Sequence, residues 1–191
     1  MKRCLATSLI SVLSLFVFIS GVTEARVVKG VDFPESATIQ NKSCKLIGVG
    51  IRKKLIINVY LGALYLEQPT QNASEIISSA QVKRISMHFL YKEVTAEQLV
   101  EAWDEGFKKN AGNVIAGLKG EIARFNGFFT EPMNEGDTME LTYIPGKGTE
   151  VSIKGKNKGV IEGNNFMQAL FSIWFGPYPP SNGLKEGMLG E

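Results

Sequence analysis

Residues 45–67, KLIGVGIRKKLIINVYLGALYLE, constrain the fold more than any other part of this chain. Two apolar runs, KLIGVGIRK and LIINVYLGALYLE, are rich in β-branched residues and meet near Lys53-Lys54 with no helical segment between them. Two long strands joined so tightly pair antiparallel, so a sheet begins here.

The flanking sequence extends that sheet and covers it. VVKGVDFP (27–34) reads as a short strand closed by a turn at Asp32-Phe33-Pro34, with ATIQ (37–40) as its partner. ASEIISSA (73–80) reads as a short helix. VKRISMHFLY (82–91) alternates, with Ile85, Met87, Phe89 and Tyr91 on one face and Arg84, Ser86 and His88 on the other.

Thr95-Ala96-Glu97-Gln98 is a capping signature that opens a helix, with Leu99, Ala102, Trp103 and Phe107 recurring at helical spacing. A second helix is expected over 113–128, three strands over 138–162, an apolar helix over NNFMQALFSIWFG (164–176) and a short helix through LKEGML. Strands, two helices, strands, then a helix predict an α+β fold: one mostly antiparallel sheet covered on one face by helices.

The N-terminus stands apart from this domain. Met1-Lys2-Arg3 is followed by the apolar run LATSLISVLSLFVFISGV and then Thr23-Glu24-Ala25, a pattern that predicts a signal peptide cleaved after Ala25. The expected organisation is a signal peptide at 1–25 and one domain at 26–191, secreted and placed in a periplasm, with no stable membrane span once cleaved. The competing reading is a retained anchor, since the run approaches spanning length.

Cleavage removes Lys2, Arg3 and Glu24, so the formal net charge of +2 falls to +1, too near neutral to point to nucleic acid. Beyond Cys4 the chain keeps Cys44 alone, so no internal disulfide is expected. His88 is the only histidine, which leaves too few nitrogen and sulfur ligands for a zinc site. Gly48-Val49-Gly50 is followed by no phosphate-binding pattern, and no cofactor is expected.

Strand parity isolates one cation. Leu46, Gly48, Gly50 and Arg52 fall on one face, and Asn58, Tyr60 and Gly62 share a face of the next strand. Glycine in a strand often marks close approach by a ligand or another backbone. If the strands pair through Lys53-Lys54, Arg52 and Tyr60 border one cavity, a guanidinium and a phenol suited to a carboxylate or enolate oxygen on an apolar body. The alternative is an Arg52 that caps a helix or faces water beside a solvated Lys53-Lys54 turn.

VVKGVDFP, LIGVGIRKK, the strand ending ALYLE and ALFSIWFGPYPPSNGLKEGML, in this order, resemble the chalcone isomerase-like family across essentially all of the chain beyond residue 25. The resemblance implies an open-faced β-sandwich with a ligand cleft between sheet and helices. It implies either an isomerase that stabilises an oxyanion with an arginine, threonines and a tyrosine-lysine-asparagine set, or a fatty-acid binder that pairs the arginine with a tyrosine. The family arginine falls on Arg52. The enzyme's threonine falls on Tyr60, its tyrosine, lysine and asparagine fall near Thr95, Gln98 and Ala102, and its late threonine on Ile173.

With most of that polar set missing, the resemblance favours binding of a small amphipathic acid such as a fatty acid. Arg52 would be the ion-pair partner and Tyr60 the hydrogen-bond donor, with Gly48 and Gly50 opening the cleft. Two other readings remain: an intramolecular lyase in which Arg52 polarises a carbonyl and Tyr60 acts as acid, and a ligand-free partner-binding protein.

Overall fold

The computed structural model describes residues 24–191, which run β1 (Ala25–Val28), β2 (Val31–Pro34), β3 (Ser36–Ile39), β4 (Lys42–Lys54), β5 (Ile57–Leu66), α1 (Ala73–Ser78), β6 (Lys83–Phe89), β7 (Glu93–Val94) and α2 (Ala96–Asn110). A 3-10 helix (Gly112–Leu118) leads into α3 (Lys119–Asn126), β8 (Met133–Asn134), β9 (Thr138–Ile144), β10 (Gly148–Ile153), β11 (Lys156–Ile161), α4 (Asn164–Phe175) and α5 (Asn182–Leu189). The expected signal segment lies almost wholly outside the described residues. Ala25 itself opens β1, opposite Pro34.

Seven strands form one antiparallel sheet in the order β11-β10-β9-β6-β5-β4-β3. Helices cover one face, so the α+β expectation holds. The first turns differ from the sequence reading. Lys29 and Gly30, at φ 53° and 78°, close a separate β1-β2 hairpin, and Gln40 and Asn41, at 48° and 62°, close β3 onto β4. Two consecutive left-handed residues match the twist of a two-residue hairpin; Asp32-Phe33-Pro34 is therefore strand, not turn.

The helix-covered face carries the main core. Ile85, Met87 and Phe89 of β6, Leu64 and Leu66 of β5, and Met139 and Leu141 of β9 meet the nearly all-round apolar α4, whose Phe166, Leu170, Phe171 and Trp174 are buried. A helix apolar on every side must be enclosed, and α4 lies between the sheet and α1, α2 and the 3-10 helix. Truncating one of its phenylalanines to alanine would cost about 3–5 kcal/mol. A second, smaller core of Phe33, Ile39, Cys44, Leu46, Leu61, Ala63 and Tyr65 sits on the opposite face, where Val28 and Val31 of the β1-β2 hairpin also pack.

Two irregularities in the β4-β5 ladder aim the site. Leu46 pairs Tyr65 and Gly48 pairs Leu64, leaving Ile47 as an extra residue; Arg52 pairs Tyr60 and Lys53 pairs Asn58, leaving Val59 extra. Each bulge reverses the alternation beyond it. Leu46 therefore belongs to the smaller core, while Gly48, Gly50 and Arg52 face the helices, so the shared face expected for Leu46 is corrected. Asn58 likewise falls out of step with Tyr60. The Val59 carbonyl accepts from Leu90 N–H (2.9 Å) and Tyr91 N–H (3.2 Å), which fixes the second bulge.

Thr95 and Gln98 form the expected capping box of α2, each side chain accepting from the other's backbone N–H. No described helix is long and apolar enough to cross a membrane.

Candidate functional site

Where the hairpin end of β4-β5 passes under α2 and α4, a cavity of about 160 Å³ opens beside Arg52 and Tyr60. Met87, Leu99, Trp103 and Ile173 supply apolar wall, and Tyr178, Pro179 and Pro180 border it after α4. The strands bring Arg52 and Tyr60 directly opposite one another, as parity anticipated. A larger depression of about 690 Å³ runs along α2, but Glu97, Glu101, Asp104 and Glu105 outnumber Lys108 in its lining and disfavour an acid there.

Tyr60 is buried, and its hydroxyl oxygen accepts from the Trp174 indole N–H at 3.1 Å. With that acceptor position filled, the phenol proton is left to donate, and no described residue takes it. Burial pushes the Tyr60 phenol up to about 12, against smaller opposing effects of the Trp174 hydrogen bond and the Arg52 charge. The group stays protonated across the physiological range and serves as a donor.

Arg52 is half-buried. Its one side-chain hydrogen bond among the described residues goes from Nη1 to the Lys53 carbonyl, and it joins no described salt bridge. Most of its donors are therefore free beside the cavity. Glu105 shares the rim but is bound by Lys109 at 2.5 Å; that bond, ahead of the Arg52 and Lys54 charges, holds its carboxyl below the usual range.

Gly48 and Gly50 do not border this cavity. A Cβ on Gly50 would lie 2.1 Å from the Leu184 carbonyl oxygen, and one on Gly48 would lie 2.2 Å from that of Gly187. They admit the backbone of α5 against β4, so the space expected to open a cleft is filled by a helix. Of the two meanings of a strand glycine, approach by another backbone is the one realised.

Several cavity residues had no functional signal in the sequence. Trp103 reads as a core residue, and it is buried at 4% exposure, yet its indole N–H has no hydrogen-bond partner. A buried unpaired donor costs about 1–3 kcal/mol, and Trp103 carries one while its ring lines the cavity. Asn110 fixes the rim, donating to the Tyr178 carbonyl at 3.0 Å and accepting from the Tyr178 N–H at 3.0 Å. In the sequence, Gly176-Pro177 and Pro179-Pro180 are what end the helix before this segment.

A sheet-and-helix cleft with an arginine and a tyrosine facing one another is the arrangement the sequence resemblance implied, and the profile of chalcone isomerase-like proteins matches residues 25–190. The chain belongs to the chalcone isomerase-like family. Among solved structures, the Arabidopsis thaliana fatty-acid binding protein AtFAP1 is similar at a TM-score of 0.67 and 20% identity, covering 87% of this chain and 96% of that one. That likeness shows the fold. No curated protein matches the sequence.

In this chalcone isomerase-like protein, Ala102 and Ile173 line the cavity without polar groups to offer, whereas Thr95 and Gln98 spend their side chains on the helix cap. The polar residues lining the cavity are Arg52, Tyr60 and Tyr178, with the Glu105-Lys109 pair at its rim.

Proposed function

We propose that this protein binds a small amphipathic carboxylic acid, a fatty acid being the simplest, without turning it over. The observation that carries this reading is the placement of Arg52 opposite Tyr60, both with unused donors, in the wall of an otherwise mainly apolar cavity. A carboxylate oxygen would pair with the guanidinium and accept from the phenol, while the alkyl chain would run along Met87, Leu99 and Ile173. That AtFAP1 is a fatty-acid binding protein supports the choice of ligand class.

The cavity volume limits the tail. About 160 Å³ is below the ~300 Å³ at which ordinary ligand pockets begin, so short or medium chains fit, and a longer tail would leave between α2 and Tyr178. A phenol held near 12 makes a poor general acid, which favours binding over lyase chemistry. The ligand-free reading would leave Arg52 exposed or neutralised with no cavity beside it, and the half-buried, unpaired Arg52 speaks against that.

Calorimetric titration with straight-chain acids from butyrate to palmitate tests the proposal. Medium chains should bind best, and Arg52→Ala should weaken binding by about tenfold to a hundredfold, the equivalent of losing a charged hydrogen bond. Absence of binding at every length, or equal binding by Arg52→Ala, would overturn it. By the same reading the protein works outside the cytoplasm, which N-terminal sequencing of the native protein checks: a mature start at Arg26 is expected.

A further inference from the structure

The turn of the β4-β5 hairpin is not made by the lysines. Lys53 and Lys54 are the last residues of β4, and the turn residues are Leu55 and Ile56, exposed at 93% and 96%. Ile57, which follows, is also exposed. A chain hides such side chains when it can, and isolated exposed aliphatics are unremarkable, but three in a row at the tip of a projecting hairpin form a patch.

The backbone sharpens the point. Leu55 takes φ 56°, a left-handed conformation for which glycine or asparagine is the cheap choice. At the matching first left-handed position the other hairpins carry Lys29, Gln40 and Lys154, long side chains like leucine but polar, followed by Gly30, Asn41 and Gly155. The turn geometry thus tolerates a long side chain at Leu55 but does not call for an aliphatic one, and at 93% exposure the leucine adds nothing to the core.

Charge identifies what the tip meets. The chain has no carboxylate between Glu35 and Glu67, so both strands carry only cations, and Arg52, Lys53 and Lys54 stand directly behind the apolar tip. None of the three is in a described salt bridge. Beside the same rim, Tyr178 is 64% exposed and lines the cavity. Apolar residues at a point, cations one step behind and an aromatic ring at the level of the cations match the layering of a bilayer surface: acyl chains, anionic headgroups, then water.

We propose that the β4-β5 hairpin tip inserts Leu55 and Ile56 into the surface of an anionic lipid bilayer, with Lys53 and Lys54 against the headgroups. Arg52 lies three residues from Leu55, roughly 10 Å of strand, so docking by the tip brings the cavity mouth to the headgroup layer. An amphipathic acid would then pass between bilayer and cavity without crossing water. This last step rests on the ligand reading above; docking does not.

Cosedimentation with vesicles tests the docking. A chain beginning at Glu24 keeps every described strand, helix and both cores, and its fold is verified by circular dichroism before use. It should bind phosphatidylcholine vesicles containing phosphatidylglycerol and leave pure phosphatidylcholine vesicles unbound. Leu55→Asn/Ile56→Ser should lose at least about tenfold in vesicle affinity, since each exposed aliphatic contributes that order when buried. Lys53→Gln/Lys54→Gln should lose about tenfold and flatten the dependence on salt.

Lys53→Gln/Lys54→Gln should keep the parent's melting temperature and Leu55→Asn/Ile56→Ser should match or exceed it, and both should keep the vesicle-free affinity for dodecanoate, which separates failure of docking from failure of the ligand reading. Absence of binding to the anionic vesicles, or equal binding by Leu55→Asn/Ile56→Ser, overturns the proposal. So does a dimer in analytical ultracentrifugation that this variant converts to monomer, because the tip would then meet a second copy.

Discussion

Trp174 of α4 donates its indole N–H to the Tyr60 hydroxyl of β5 at 3.1 Å, a buried bond between groups 114 residues apart. It ties the helix layer to the sheet at the cavity wall and sets the direction of the phenol proton. Because both partners are buried, removing either strands the other. Tyr60→Phe should destabilise the fold by about 1–3 kcal/mol and Trp174→Phe by a similar or larger amount, since it also removes ring area. The double variant should lose less than the sum, by about 0.5–2 kcal/mol, in a urea-unfolding cycle. Strict additivity would show that the pair is not coupled.

The α5-β4 contact makes a second prediction. Gly50→Ala places a methyl 2.1 Å from the Leu184 carbonyl oxygen, and backbone on both sides leaves nothing flexible to yield. Forcing α5 off the strand should cost about 2 kcal/mol or more. Gly62→Ala, whose methyl would meet the movable Met188 sulfur at 3.1 Å, should cost clearly less. Gly183→Ala in α5 meets nothing within 4 Å and should be neutral or stabilising by about 0.5–1 kcal/mol. Thermal melts of the three variants should fall in that order.

These glycines show where the sequence is legible and where it is not. Alternation in β6 and the capping box of α2 are local patterns, and their strand face and helix start follow from a few neighbouring residues. That glycines at 48 and 50 mean a close approach is also local. What approaches them comes from residues 184–190, and nothing near Gly48 distinguishes a helix from a ligand.

Bulges set a second limit. The extra residues Ile47 and Val59 are ordinary strand formers, so period-two counting carries straight through them and misplaces Leu46 and Asn58. Counting still pairs Arg52 with Tyr60 because both lie between the two bulges. The Trp103 donor was hidden for another reason: apolar spacing gives the direction of a side chain, not whether its N–H finds an acceptor.

That indole gives a third prediction. Trp103→Phe removes a buried donor with no partner, so the loss of packing area is partly offset and stability should fall by less than about 2 kcal/mol. If the ligand carboxylate uses the donor, affinity for dodecanoate should drop about fivefold or more in the same variant. Unchanged affinity in calorimetry would remove Trp103 from the site.

Lys83 gives the last prediction, from a buried cation remote from the cavity. Its side chain is fully enclosed on the helix-covered face of β6, where Nζ donates to the carbonyls of Ile76, Ile77 and Ser79 at the end of α1 and lies 4.6 Å from the centre of the Phe171 ring. Those carbonyls favour the ammonium as a helix cap. Burial works against it and pushes Lys83 from 10.5 down to about 7. Between those two values the unfolded chain holds a proton that the folded chain has released, so stability should rise with pH from about 7 and level off towards 10.5. The total is on the order of a few kcal/mol, reduced by whatever the carbonyls return. Above about 10 the slope should reverse, because burial raises the Tyr60 and Tyr65 phenols to about 12 and the unfolded chain then loses protons first. Urea unfolding on either side of neutrality measures this, and Lys83→Met should abolish the rise while leaving the alkaline fall. A wild-type stability that is flat from neutral to mildly alkaline pH would show that the carbonyl cage compensates the burial of the charge in full.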